Sequence, residues 1–383
     1  MSEEILNLGL NDGTYCPQAC IDLLKRYDNR TALRNYTTPE NEPLLDVIAE
    51  LDGVKPENIY LSNGSGALLK QCVPFIIKKK ITGSPTRILR HVVSKTGFPI
   101  ITPSFTYFKV PLKGMAQGLK VGLIPIGPED NFTLDLPALK AALAKHDGIV
   151  YLANPNNPTG NVLIQREELE PLLKAHPRSI FWIDEAYIQY VDPAVHKPIS
   201  DLVPKYPNLL VSRTFSFAYG LAGLRVGYLL ARPDLVTIFK GQVVDYRLGV
   251  LQEQMAMAAL TDPDHLDFIR SECREQRDYL TEGLTAMGGI EVYPSQANFL
   301  LCRFTDGRSG FELGAKLLER GIKIKTMKQV QDYSFEAYFR LTLGIAEENE
   351  RLLRTIGEVL GSQDVSIKPA PVSAAAASAA PAK

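Results

Sequence analysis

Short runs of consecutive apolar residues recur along the middle of the chain, in GIVYLANP (148–155), SIFWIDEAY (179–187), NLLVSRTFS (208–216) and RVGYLLA (225–231). Runs of this length predict strands buried on both faces of a sheet. Between them lie LPALKAALAKH (136–146) and REELEPLLKAH (166–176), where apolar residues return every three or four positions, the period of an amphipathic helix. Alternating buried strand and helix predicts an α/β unit on a mostly parallel sheet. After Thr261-Asp262-Pro263 comes a long charged helix pattern, HLDFIRSECREQRDYLTEGLTAMG, then strand-like IEVYP, NFLLCRF and AYFRLTLG with the helix pattern GFELGAKLLERG among them. A smaller α+β unit is expected there, with its boundary near Asp262. From about Gln363 onward Pro, Ala and Ser replace large apolar side chains, the composition of a disordered tail. The expected organisation is an N-terminal segment (1–34) packed on the small domain, a large domain (35–262), a small domain (263–362) and a tail (363–383).

Composition narrows the function classes. With 383 residues, 45% hydrophobic and 22% charged, the chain has the makeup of a folded globular protein and not of a disordered, collagen-like or coiled-coil one. Its 42 Lys+Arg against 43 Asp+Glu give no overall pull toward nucleic acid or an acidic membrane. One stretch is locally basic, with Lys78, Lys79, Lys80, Arg87, Arg90, His91 and Lys95. It reads as a solvated face, with a site for an anion as the alternative. Five cysteines without a CxxC pair and five scattered histidines predict no metal site and a reducing compartment. The acidic start MSEEILNLGL and the lack of an apolar run near ~20 residues predict a cytoplasmic protein without a membrane span.

Four segments have a composition that chemistry explains better than packing. NPNNPTG (154–160) follows an apolar strand and holds asparagine amides on a tight loop at the strand's C-terminal edge, where open α/β sheets bind ligands. Asp184 closes the apolar run of FWIDEAY, and a carboxylate at that depth is expected to need a cationic partner. In SRTFSFAYGLAGLRVGY (212–228), hydroxyls, a glycine-rich turn and Arg225 suit a phosphate. NGSGALL (63–69) runs a small-residue loop into a helix pattern, whose first N–H groups can take an anion.

Taken in this order, NGSG, PSF, NPNNPTG, DEAY, RTFS…GLAGLRVGY, PSQANFLL and FRLTLG resemble the fold-type I pyridoxal phosphate aminotransferases, and among them the histidinol-phosphate branch. The resemblance covers roughly residues 5 to 360. It implies pyridoxal or pyridoxamine phosphate as cofactor, with Asp184 at the pyridinium nitrogen and Tyr187 and Asn157 at the phenolic oxygen. Phe105 would stack on the ring. Gly64, Ser65, Gly66, Thr214, Ser216 and Arg225 would hold the phosphate, joined by Tyr36 from a second subunit of a homodimer. Arg340 would grip the substrate carboxylate, with Asn11 beside it.

The resemblance breaks at one position. The family segment reads S-K-x-[FY]-G-L-A-G-L-R, and its lysine forms the Schiff base with the cofactor; this chain has Phe217 there, still eight residues before Arg225. The chain also has Gly66-Ala67 where the histidinol-phosphate branch has an acidic pair, and a longer stretch from Gly64 to Pro103. The expectation is a B6 enzyme acting on an amino acid or related amine with the cofactor held non-covalently. Tyr219, or Lys95, Lys323, Lys325 or Lys328, is the candidate substitute for the amine. The alternatives are a non-catalytic regulatory subunit, or an ordinary aminotransferase whose lysine has been replaced.

Overall fold

The computed structural model describes residues 5–28, 33–34, 43–64, 66–68, 76, 98–116, 118–242, 248–327, 335–361 and 369–372. Tyr36, Ser65, Lys328 and the basic stretch from Lys78 to Lys95 lie outside the described residues. The strands are β1 (Leu6–Asn7), β2 (Ile59–Ser62), β3 (Ile100–Pro103), β4 (Val121–Ile124), β5 (Ile149–Ala153), β6 (Ile180–Asp184), β7 (Leu209–Thr214), β8 (Gly227–Leu230), β9 (Ile290–Val292), β10 (Phe299–Phe304), β11 (Ile322–Lys323), β12 (Lys325–Thr326) and β13 (Tyr338–Thr342). The described α-helices are α1 (Gln18–Arg26), α2 (Pro43–Asp52), α3 (Lys109–Ala116), α4 (Leu136–Lys145), α5 (Arg166–Ala175), α6 (Pro233–Gln242), α7 (Val250–Leu260), α8 (His265–Ala286), α9 (Gly310–Glu319) and α10 (Ala346–Leu360).

Seven strands form one sheet in the order β2-β8-β7-β6-β5-β3-β4. All the pairings from β7 to β4 are parallel, and β8 alone runs against its neighbours β2 and β7. The apolar runs form β5, β6, β7 and β8, and β5 to β7 are buried along their whole length. Because side chains alternate across a strand, each feeds two cores. Phe181, Ile183, Leu209 and Val211 join the core on one face with Leu44, Ile48 and Ala49 of α2. Tyr151, Trp182 and Leu210 join the core on the other face with Val236 and Phe239 of α6. This alternation decides which polar residues at the strand ends share a face.

A second sheet, β12-β13-β10-β9, is antiparallel throughout. It packs with α8, α9 and α10 around Leu280, Leu284, Phe299, Phe339, Leu352 and Ile356. Strand β1 pairs in parallel with β11, which ties the N-terminal segment to this unit. Local chemistry starts the helices: Asp135 accepts from the Ala138 N–H at the head of α4, and Ser309 accepts from Phe311 and Glu312 at the head of α9. Of the Ala/Pro-rich tail, Pro369–Val372 are described. Ala370 is buried, and the Pro371 carbonyl accepts from Gln276 Nε2 of α8 at 2.8 Å.

Among the described residues no helix is long and apolar enough to cross a membrane, and no group of His, Cys, Asp and Glu could hold a metal ion. The described cysteines Cys16, Cys20, Cys273 and Cys302 are free thiols.

Candidate active site

Strands β2, β3, β5, β6 and β7 end on the same edge of the large sheet, and the turn into the antiparallel β8 returns to it. The polar segments singled out above therefore meet there, as expected of an open α/β sheet. The three asparagines of the loop after β5 divide their work. Asn154 holds the loop itself, donating to the Ile164 carbonyl and accepting from Leu163 N–H. Asn156 accepts from Thr106 Oγ1 at 2.6 Å and donates to the Phe105 carbonyl at 2.9 Å. Asn157 alone points into the site: its Oδ1 accepts from Arg340 Nη1 at 2.6 Å and its Nδ2 donates to Tyr187 Oη at 3.2 Å.

Asp184, at the end of β6, is 5% exposed. Its Oδ1 accepts from Ser212 Oγ at 2.8 Å and its Oδ2 from Tyr151 Oη at 2.9 Å. Ser212 in turn accepts from the indole N–H of Trp182 at 2.9 Å. Sequence alone leads one to expect a cationic partner for so deep a carboxylate; among the described residues hydroxyls hold it and no cation pairs with it. Burial accordingly pushes its pKa up, against the two hydroxyl bonds that pull it down.

Arg340, on β13, is 6% exposed and is the mirror case. It donates from Nη1 to Asn157 and from Nη2 to the Gly9 carbonyl at 2.8 Å, while its Nε–H is buried with no partner. Among the described residues it has no carboxylate partner, and burial lowers its pKa. Tyr187 connects the two regions. Its oxygen accepts from Asn11 Nδ2 at 3.0 Å as well as from Asn157, and burial pushes its hydroxyl up to about 12, so it keeps its proton. Asn11 sits in the left-handed region at φ +62°, with its N–H donating to Thr342 Oγ1.

Phe217 is half-buried, and its ring lies flat on Tyr187, centroids 4.5 Å apart at 16°. Thr214 Oγ1 donates to Ser216 Oγ at 2.9 Å, and Arg225 Nη1 reaches the same Ser216 oxygen at 3.5 Å. Gly64 closes this cup beside Arg225 Nη2 at φ +86°, a left-handed backbone conformation that favours glycine. Gly66 faces open space.

Three expected residues, Tyr219, Lys323 and Lys325, stand elsewhere. Tyr219 is buried on the opposite face of the sheet, against Phe215 and His265. Burial pushes its hydroxyl up to about 12, with the charges of Arg213 and Asp52 acting on it, and this geometry does not bring it to Asp184 or Tyr187 as a substitute base. Lys323 and Lys325 are exposed on the short strands β11 and β12. Phe105 is buried in an aromatic cluster, one face covered by Phe335 at 4.1 Å and 8°. The aromatic that senses both Asp184 and Arg225 is Tyr107, whose hydroxyl burial and Asp184 push up to about 12 while Arg225 opposes.

Sequence reasoning missed Tyr107, Tyr151 and Ser212, and it missed Gln252, whose Nε2 donates to Asn63 Oδ1 and to the Leu224 carbonyl and so braces both sides of the Gly64–Arg225 cup. The second aromatic of PSFTYF was the signal for Tyr107; Tyr151 and Ser212 emerge only when strands pair, and Gln252 only when α7 packs beside the two loops.

The model of the family "Aminotransferase class I and II" matches residues 3–356. The chain belongs to that family. A histidinol-phosphate aminotransferase of Anaeromyxobacter sp. (strain Fw109-5) is 35% identical over 320 residues, 83% of this chain and 81% of that protein. Among solved structures, the histidinol-phosphate aminotransferase of Sinorhizobium meliloti, in complex with pyridoxal-5'-phosphate, superposes with a TM-score of 0.77 at 25% identity, covering 94% of this chain and 92% of that one. That of Clostridium acetobutylicum shares the fold, with a TM-score of 0.79 at 20% identity over 94% of this chain and all of that one.

The site fits a pyridoxal phosphate on its own terms. A buried carboxylate without a cation suits a pyridinium nitrogen, and the serine, threonine and arginine around Gly64 suit a phosphate. The Tyr187 hydroxyl, which accepts two amide bonds, keeps its own hydrogen for a ligand oxygen.

Proposed function

We propose that this aminotransferase acts on an amino acid or a related amine and holds pyridoxal or pyridoxamine phosphate non-covalently. The observation that carries the reading is the pair of orphaned charges, Asp184 without a cation and Arg340 without an anion, both deep in one site. Leaving either charge uncompensated costs several kcal/mol, roughly 3–5 by measured cases, and a ligand bearing a ring cation and a carboxylate relieves both.

In this reading Asp184 keeps the ring nitrogen protonated, with Ser212 and Tyr151 fixing the carboxylate's two oxygens. Tyr187 and Asn157 orient the phenolic oxygen. Gly64, Ser65, Gly66, Thr214, Ser216 and Arg225 hold the phosphate, with Tyr36 reaching it from the second subunit of a homodimer. Phe105 holds the family's stacking position, and Tyr107 is the aromatic nearer the charges. Arg340 takes the substrate carboxylate in a fork that its unpaired Nε–H helps complete, and Asn11 buttresses Tyr187 beside it. When bound, the B6 ring supplies the electron sink for bond breaking at the substrate carbon. Phe217 offers no proton to hold or move, so transamination is slower than with a positioned acid–base group by a factor on the order of 10²–10⁴. A cytoplasmic setting is consistent with the free thiols.

The test is to identify the B6 species carried by the purified protein, by mass spectrometry and absorbance, before and after borohydride. The expected result is a vitamer released intact on unfolding, with no mass fixed to the chain by reduction. A fixed adduct would mean that a lysine has taken over the covalent role. No B6 bound, and none taken up on addition, would refute the reading.

A further inference from the structure

Beneath the site, on the other face of the sheet, two buried carboxylates share one guanidinium. Arg213 of β7 donates from Nε and Nη2 to Glu185 Oε2 at 2.9 and 2.6 Å, and from Nη1 to Asp52 Oδ1. Tyr228 Oη donates to the other oxygen of Asp52 at 2.9 Å, and Glu185 Oε1 accepts from the Ile199 N–H at 3.0 Å. All three charged side chains are nearly sealed from solvent, at 6% or less. With both carboxylates ionised the cluster carries one surplus negative charge.

Two features say that the surplus is not required for folding. Arg213 is already matched by Glu185 alone. Asp52 is the last residue of α2, where the helix dipole disfavours an anion. Burying such a cluster is no gain over apolar packing either. Its position is informative, since Glu185 follows Asp184 and Arg213 lies between Ser212 and Thr214. Among the described residues the groups that face Asp184 are Tyr151 from β5, Ser212 from β7, Glu185 and the Ala186 N–H beside it, and the rings of Tyr107 and Tyr187, none of them a cation.

We propose that the Asp52–Arg213–Glu185 cluster is a positioning device: it locks the ends of β6 and β7, and its surplus negative charge favours a protonated ring nitrogen at Asp184. The inference rests on the proposed function. Asp52→Asn keeps the shape and an acceptor for Arg213 while removing the surplus. The prediction is that it binds pyridoxal phosphate about tenfold more weakly by equilibrium dialysis, and that the absorbance titration of the bound ring nitrogen moves about one pH unit lower. Glu185→Gln is a second, independent removal of one negative charge and should move the titration in the same direction. Wild-type affinity with an unshifted titration in both variants overturns the proposal, and so does a lowered melting temperature with an unshifted titration, which would make the cluster structural only. Failure of the wild-type chain to take up pyridoxal phosphate overturns the proposed function, and this inference with it.

Discussion

Asp184→Ala is expected to abolish B6 binding, with a loss of affinity on the order of 10²-fold or more, because truncating one partner of a buried charge pair costs about 2–5 kcal/mol. Equilibrium dialysis against pyridoxal phosphate measures it, and a variant that kept full affinity would show the ring nitrogen to be placed elsewhere. The milder Asp184→Asn separates the two sides of this residue's energetics. Burial raises the folded-state pKa of Asp184 above its unfolded value. The sign follows from linkage: the group favours folding below the ordinary carboxylate range, and that contribution is lost as pH rises through the folded value, so near neutrality the ionised carboxylate penalises the empty protein. The cofactor-free Asp184→Asn variant should therefore melt above the cofactor-free wild type near neutral pH, with the gap closing toward acid. Saturating pyridoxal phosphate should reverse the order, since a ligand at 100 times its Kd adds about 2.7 kcal/mol to the form that binds it. Melting curves across pH, with and without cofactor, decide it.

Phe217→Lys is expected to give a covalent, borohydride-reducible link to pyridoxal phosphate and to raise the transamination rate by a factor on the order of 10²–10⁴. The ring of Phe217 lies on Tyr187, whose oxygen accepts from both Asn157 and Asn11. An amine at this position is thus beside the oxygen that would orient the cofactor. The substitution gives up a stacked pair worth about 1 kcal/mol, which the fold can bear. Mass spectrometry after reduction reads the outcome. If no link forms, position 217 does not face the cofactor's aldehyde, and the alignment of RTFSFAYGLAGLR with the family segment is wrong.

Much of this was legible in the chain. Continuous apolar runs correctly foretold β5 to β8, because strands buried on both faces have no polar side to show. NPNNPTG, DEAY and GLAGLRVGY led to the right edge of the sheet, because turn chemistry and small residues are local properties. What escaped depends on pairing across the sheet. Nothing local distinguishes Asn157 from Asn154 and Asn156; only the loop's folded path sends one amide to Arg340 and leaves two to brace the loop. The protein partners of Asp184 come from β5 and β7, far apart in sequence, so the two hydroxyls that hold it were not legible. Asp52 and Arg213 are 161 residues apart and read singly as an ordinary helix end and an ordinary strand residue.

The indole of Trp182 has a use that the protein did not evolve for. It is the chain's one tryptophan, it is fully buried, and only Ser212 stands between its N–H and the carboxylate of Asp184. Its ultraviolet emission is therefore a single-site optical reporter, wired to the carboxylate that would meet the ring nitrogen. Titration with pyridoxal phosphate should quench it in proportion to occupancy, and Ser212→Ala should blunt any spectral shift transmitted through the hydroxyl. Ligand screening can then be read by intrinsic fluorescence, with no label and no turnover.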